Sequence, residues 1–288
     1  MARKSIFELL AEQFDIEKDI ERMDLLFSDE KVITEGSGRS RNYYTIQEFV
    51  NIHCFDDWKS RGHCLDIDDF LDCVDYDGNY RLSTSENIDA CLTVIEIIYN
   101  FWTLASICCA QNEEFATQKG FVHLGNIMDD CLSRYNYKAV YNDESEQLLV
   151  IENRPEVTAV AEIVEPDLAL EVLRYNHRSM RGNIAQKKYI LLILGSELEP
   201  KRKLLNSINS SMEDAIFFML NNMNLRHNNC NTADKNYRDF IANMDDDTLE
   251  HWYDELYQMM LLAFLELDQR ERNSKIAELK ANIIGTAN

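Results

Sequence analysis

An Arg-His pair inside an asparagine-rich stretch is the part of the sequence best suited to chemistry. The stretch reads FFMLNNMNLRHNNCN from Phe217 to Asn231 and follows a segment with helical periodicity. Histidine titrates near neutral pH and can transfer protons, whereas arginine can hold a phosphate and stabilise charge that grows on it. Arg226 and His227 are therefore candidate catalytic residues for metal-independent cleavage of RNA, in which a 2′-hydroxyl attacks the adjacent phosphorus. Asn228 and Asn229 would orient the substrate.

The same stretch also has a purely structural interpretation. Asparagine near a helix C-terminus often adopts the left-handed conformation and ends the helix, and cationic side chains there favour the helix dipole. Against this, the stretch contains more asparagines than a stop signal needs: Asn221, Asn222, Asn224, Asn228, Asn229 and Asn231. Both interpretations stay open at the level of sequence.

A local excess of basic residues precedes the Arg-His pair. Residues 174–203 carry eight Lys or Arg and two Glu, a net charge of +6. Lys201, Arg202 and Lys203 begin the helix whose far end carries Arg226 and His227, so they are candidate phosphate-binding residues. The alternative is a solvated helix face with cations placed near helix ends.

The composition limits the possible partners. The net charge is −22, which disfavours non-specific coating of DNA and of anionic membranes. No uninterrupted apolar run of membrane-spanning length is evident, and the N-terminus lacks the pattern of a signal peptide. The eight cysteines form no CxxC pair. We therefore expect a cytoplasmic protein with reduced thiols and no cofactor.

The first part of the chain predicts a mainly helical domain over residues 1–176. Amphipathic spacing predicts a helix over 5–27, and Thr45 with Glu48 forms a capping box for a short helix. A wide apolar stripe predicts a long buried helix that begins near Ser83 or Ser85. Two apolar runs in 137–152 predict a β-hairpin, the only clear strands. Pro155 and Pro166 fit the first turns of two further helices.

The second part predicts an antiparallel helical bundle over residues 177–288. One helix begins near Ile184 and another at Pro200, with apolar spacing that runs to Met223. Asp247 with Glu250 fits the cap of a long helix, and Lys275–Ile284 predicts a separate, marginal C-terminal helix. Four or five helices with short links are typical of a bundle. The boundary between the domains is expected in NHRSMRGN, near 176–183.

Two metal sites can be considered, and both are disfavoured. DYDGNYRLSTSE, residues 75–86, places oxygen donors at the spacing of a calcium loop, but Tyr80 stands where the sharp turn requires glycine. His53-Cys54 and His63-Cys64 suggest zinc, but adjacent helical residues point about 100° apart and seldom bind one ion. We therefore predict no metal site.

The C-terminal half resembles bacterial proteins of the abortive-infection and HEPN-like type. The segments that carry the resemblance are GNIAQKKYILLILGSELEPKRKLL, LNNMNLRHNN and WYDELYQMMLLAFLEL, within residues 177–288. CLTVIEIIYN, residues 91–100, looks like the N-terminal helical domain fused to such modules. The resemblance implies a helical bundle that often forms homodimers, in which Arg and His meet across the dimer axis. Active members of the family are metal-independent ribonucleases used in phage defence.

Two functional hypotheses follow. In the first, the chain is a phage-defence ribonuclease that uses Arg226 and His227 on an RNA substrate. The family motif places His four to six residues after Arg, whereas His227 follows Arg226 directly. The second hypothesis is therefore a non-catalytic, acidic module that binds a partner protein and regulates a defence system.

Overall fold

The protein is mainly α-helical, as predicted. The chain divides between Asn153 and Arg154 into two compact units. The computed structural model describes residues 16–38, 40–74 and 88–285. The candidate calcium loop at 75–86, the proposed caps Ser83 and Ser85, and the start of the helix predicted over 5–27 lie outside these ranges.

The first unit is built from five helices of the described residues and two small sheets. Helix α4 is central, and eight of its side chains are buried, as its wide apolar stripe predicted. The capping box of Thr45 and Glu48 is confirmed at the start of α2. The helices are α1 (Ile16–Asp24, continued by a π-helical turn Leu25–Asp29), α2 (Ile46–His53), α3 (Ile67–Cys73), α4 (Ile88–Gln111) and α5 (Lys119–Arg134).

The predicted hairpin is confirmed, but it is accompanied by a second sheet. Strands β4 (Tyr137–Asn142) and β5 (Gln147–Glu152) pair in antiparallel register. The expectation that these are the only strands is wrong, because β1 (Ile33–Glu35) pairs with both β2 (Asn42–Tyr44) and β3 (Phe115–Thr117). Each of these three strands has only three residues, which is too short for a period-two pattern to show.

One helix of the first unit has the length and composition of a membrane span, although its apolar run is interrupted by Asp89 and Glu96. Among the described residues, α4 is one helix that is long and apolar enough to cross a membrane, with a mean hydropathy of 1.6 over its most apolar window. This is weak evidence, because a buried core helix passes the same test. The core of the first unit packs around α4.

The second unit begins earlier than predicted, because two helices assigned to the first domain pack within it. Pro155 and Pro166 open helices as expected, but these helices contact the C-terminal ones. Tyr175 stacks on Tyr257 with ring centroids 3.9 Å apart. The predicted boundary near 176–183 therefore lies inside the second unit. Its helices are α6 (Pro155–Ala161), α7 (Pro166–Tyr175), α8 (Ile184–Leu198), α9 (Arg202–Ile208), α10 (Ser210–Asn222), α11 (Asp239–Ala242) and α12 (Asp246–Gly285).

Three helix boundaries in the second unit differ from the prediction. The helix expected from Pro200 to Met223 breaks at Asn209, whose side chain accepts a hydrogen bond from the Met212 N–H at 3.2 Å and caps α10. The cap of α12 is Asp245, which accepts from the Thr248 N–H at 2.8 Å, rather than Asp247. The C-terminal piece is not separate, because α12 runs without a break for 40 residues.

Candidate functional site

The Arg-His pair lies just beyond the end of α10, outside regular helix. Asn224 has a φ of 55°, so an asparagine in the left-handed conformation ends this helix, as the structural interpretation predicted. The Arg226 N–H donates to the Leu220 carbonyl at 2.9 Å. This bond holds the chain against the last turn of α10 and thereby positions the Arg226 backbone.

The Arg226 guanidinium is held by groups of its own unit. Its Nη2 lies 2.5 Å from Glu199 Oε2 and 3.3 Å from the carbonyl oxygen of Gly195. The guanidinium also lies 5.3 Å from the ring centroid of Phe217, within cation–π distance. The Arg226 side chain is 24% exposed. A carboxylate, a carbonyl and an aromatic ring therefore occupy much of the surface that would face a phosphate.

Arg202 joins the same group of side chains. Its guanidinium lies 4.3 Å from the Phe217 ring centroid, its Nε donates to Glu213, and its Nη1 lies 3.9 Å from Glu199 Oε1. We call Glu199, Arg202, Glu213, Phe217 and Arg226 the arginine cluster. It contains two cations and two carboxylates, so its formal charge is zero.

Hydrogen bonds to Glu213 favour its ionised form in the arginine cluster. Asn206 Nδ2 donates to Glu213 Oε2 at 2.8 Å. The hydrogen bonds from Asn206 and Arg202 lower the pKa of Glu213 below its ordinary value, although burial acts in the opposite direction. Glu199 contacts both arginines. The lowered pKa keeps the Glu213 carboxylate available as the partner of Arg202 at neutral pH.

Two lysines of the basic run, Lys187 and Lys201, also pair with carboxylates. Lys187 is 4% exposed and lies 2.6 Å from both Glu250 and Asp254 of α12. Lys201 lies 2.7 Å from Glu197. Lys203 is exposed. The net charge of +6 counted along residues 174–203 is therefore reduced in space, because Glu213, Glu250 and Asp254 come from later in the chain.

The Lys187 contacts also connect α7, α8 and α12. The hydroxyl of Tyr175 donates to Asp254 at 2.9 Å, and the Gly182 N–H donates to Glu250 at 2.8 Å. Burial alone raises the pKa of Glu250, but the hydrogen bonds from Lys187 and Gly182 outweigh it and lower the pKa overall. Lys187 is thus a structural cation.

Asn229 has a structural role in the loop between α10 and α11. It is fully buried. Its Oδ1 accepts from the Asn224 N–H at 2.9 Å, and its Nδ2 donates to the Asn236 carbonyl at 2.7 Å. Its own carbonyl accepts from the Arg238 N–H at 2.8 Å. The side chain therefore holds the loop between α10 and α11 together, whereas the sequence analysis expected it to orient a substrate.

His227 and Asn228 are exposed. Within the described part of the chain, the His227 side chain forms no hydrogen bond or ion pair. The structure thus brings Arg202 and Arg226 together on Phe217, but it does not join His227 to them through such a contact. Lys201 is directed to Glu197 and lies 5.8 Å from the Phe264 ring centroid.

The sequence analysis did not predict the residues that surround the two arginines. Glu199, Glu213 and Phe217 contact the guanidinium groups of Arg202 and Arg226. The sequence analysis named none of the three as a candidate site residue. One signal was present: Glu213 precedes Phe217 and Leu220 by four and seven residues, so it occupies the apolar face of α10. A carboxylate on such a face is expected to have a cationic or hydrogen-bonding partner.

Metal chemistry has no support in the described residues. Among them, no group of three or more His, Cys, Asp or Glu side chains is arranged to hold an ion. All eight cysteines are free thiols, and His53 packs against the rings of Tyr44, Phe49 and Phe115.

No protein-family model, curated protein or solved structure matches this chain. Its relation to abortive-infection and HEPN-like proteins therefore rests on the sequence segments alone and stays a proposal.

The contacts of the site predict unequal effects of three alanine substitutions on the free energy of unfolding. Asn229→Ala leaves a backbone donor and a backbone acceptor without partners and costs about 2–3 kcal/mol. Arg226→Ala removes a partly exposed ion pair and a ring contact and costs about 1–2 kcal/mol. His227→Ala changes it by less than about 0.5 kcal/mol. Urea denaturation measures all three, and equal small effects would contradict the structural roles assigned to Asn229 and Arg226.

Proposed function

We propose that the second unit acts by binding another protein and not by cleaving RNA. The observation that carries this proposal is the position of Arg226. Its guanidinium is engaged by Glu199, the Gly195 carbonyl and Phe217. A phosphate clamp needs a guanidinium fork that is free to form two parallel hydrogen bonds, and Glu199 competes directly for that role.

The far end of α12 offers a surface suited to a protein partner. Every residue from Gln269 to Ile284 is exposed; we call this segment the C-terminal arm. Four apolar side chains lie on it with spacings of three, four and one residues: Ile276, Leu279, Ile283 and Ile284, with exposures of 46%, 57%, 61% and 69%. Such spacing is typical of helices that bind in an apolar groove.

The charge of the C-terminal arm indicates the kind of groove. The arm carries Arg270, Arg272, Lys275 and Lys280 against Glu271 and Glu278, whereas the whole chain has a net charge of −22. The four apolar side chains offer on the order of 400 Å², about half of what one partner contributes to a standard interface. Pairing of two arms alone is therefore too small for a stable dimer. We infer a partner with an apolar groove rimmed by carboxylates.

The resemblance of residues 177–288 to abortive-infection proteins supports a regulatory role in phage defence. The ribonuclease hypothesis is kept as a second candidate because His227 is exposed and its imidazole is free of ion pairs in the described chain. A cytoplasmic location and a homodimer also stay predictions.

Incubation of the purified chain with total RNA, with and without a chelator, separates the two hypotheses. Our proposal predicts intact RNA in both samples at high protein concentration, because Arg226 is not available for phosphate. Chelator-resistant cleavage that is abolished by His227→Ala would contradict the proposal and establish the ribonuclease. His251→Ala, at another exposed histidine, is the matched control.

The proposal also requires that the C-terminal arm be dispensable for folding. Leu279→Asp and Ile283→Asp should shift the midpoint of thermal unfolding by less than about 2 °C, because exposed side chains contribute little to stability. Phe264→Asp, earlier on the same helix and 4% exposed, should shift the midpoint far more. A large destabilisation by the arm variants would show that the apolar stripe is already used within the chain.

A further inference from the structure

A groove in the first unit is lined by residues of α4, β3 and α5. Its volume is about 660 Å³, which is within the range of roughly 300–1,000 Å³ that ligand-binding clefts occupy. Three aromatic side chains line it: Trp102, Phe115 and Phe121. Val122 also lines the groove and is 56% exposed, so a molecule from solution can reach the aromatic side chains. We call this site the aromatic groove.

The rings of the aromatic groove are held in place by contacts within the unit. Trp102 Nε1 donates to the Phe121 carbonyl at 2.9 Å, and the two rings stack with centroids 5.1 Å apart. A Cβ atom at Gly125 would lie 2.8 Å from Trp102 Cζ2, so the glycine lets the indole pack directly on α5. The Phe115 ring lies 4.9 Å from that of Phe49. Rings that are already ordered lower the entropic cost of binding a ligand.

Asp129 adds a carboxylate to the lining of the aromatic groove. The Tyr99 hydroxyl donates to Asp129 Oδ1 at 2.8 Å, and the Tyr99 ring lies edge-on to Trp102. Asp129 is exposed, and within the described ranges its Oδ2 forms no hydrogen bond or ion pair. The groove therefore offers a carboxylate that is oriented through one oxygen and can accept from a ligand through the other.

Two further polar side chains line the aromatic groove. They are Ser106 of α4 and Asn126 of α5. In the part of the chain that the structure describes, neither side chain forms a hydrogen bond. Asn126 precedes Asp129 by three residues on α5, so the two side chains lie on one face of the helix. A few polar groups among apolar walls are the usual means by which a cleft orients a small molecule.

The composition of the aromatic groove indicates the charge and shape of its ligand. A flat ring stacks favourably on aromatic side chains. An ammonium group would pair with the Asp129 carboxylate and is also attracted by the faces of aromatic rings. The net charge of −22 favours the approach of cations over anions.

We propose that the aromatic groove binds a flat aromatic amine, with its ring against Trp102 and Phe121 and its ammonium group on Asp129. Ser106 and Asn126 accept from or donate to other polar groups of the ligand. The site lies within the first unit, so it does not depend on the protein partner proposed for the second unit.

A smaller groove next to the site supplies the opposite charge and makes the charge of the ligand decisive. It has a volume of about 390 Å³ and shares Val122 and Asn126 with the aromatic groove, but it is also lined by Lys119 and His123. An aromatic acid would be expected to bind there. The two grooves therefore predict opposite preferences for ligands that have the same ring.

Isothermal titration calorimetry of the full-length chain with three indoles tests the proposal. The probes are tryptamine, which is cationic, skatole, which is uncharged, and indoleacetate, which is anionic. We expect saturable binding of tryptamine and at least about tenfold weaker binding of the other two, because only tryptamine can pair with Asp129. Equal affinities, a preference for indoleacetate, or no saturable binding of tryptamine up to its solubility limit would each overturn the proposal.

Substitutions at exposed positions locate the binding site. Asp129→Asn should weaken tryptamine binding by about tenfold or more, because it removes the charge and keeps an acceptor for Tyr99. Ala110→Trp, which fills the groove from an exposed lining position, should abolish binding. Asp130→Asn is the matched control, because this exposed carboxylate is next in sequence and does not line the groove. Unchanged tryptamine affinity in Asp129→Asn, with the thermal unfolding midpoint also unchanged, would contradict the assignment.

Discussion

Two carboxylates, Glu199 and Glu213, hold Arg202 and Arg226 against one aromatic ring, and the packing at the end of α10 depends on this neutral cluster. Its parts come from the end of α8, the start of α9, the face of α10 and the turn beyond it. Two guanidinium groups that share the ring of Phe217 would repel each other without the carboxylates. The cluster therefore stabilises the end of α10 and at the same time pairs both guanidinium groups with carboxylates.

A second cation of this unit is also paired with carboxylates. Lys187 is buried with Glu250 and Asp254, so even the most deeply placed cation of the basic run serves to connect helices. A buried lysine needs carboxylates beside it, because leaving its charge uncompensated is costly. The C-terminal arm, by contrast, carries an apolar stripe whose side chains are exposed. The pairing of Arg226 and Lys187 with carboxylates and the exposed stripe of the arm are the observations that support our proposal of a protein partner.

The sequence predicted the structural features that depend on residues close together in the chain. It did not predict the strand pairings and side-chain contacts that join residues far apart in the chain. Pro155, Pro166 and the capping box at Thr45 act within one helical turn, and the β4–β5 hairpin joins adjacent runs, so all four were found. The β1–β3 pairing joins residues about 80 positions apart and involves only three residues per strand. The break at Asn209 was missed because the apolar spacing continues across it. Within the site, helix termination by asparagine was predicted, but the burial of Asn229 and the partners of Arg226 depend on long-range packing.

Equilibrium binding of a fluorescent single-stranded RNA, followed by anisotropy at several salt concentrations, tests the neutral arginine cluster most directly. The account predicts no saturable binding by the unsubstituted chain even at low salt. It also predicts that Glu199→Gln combined with Glu213→Gln, which frees two cations, creates binding that weakens as salt rises. Tight, salt-sensitive binding by the unsubstituted chain that is lost in Arg226→Ala would contradict it.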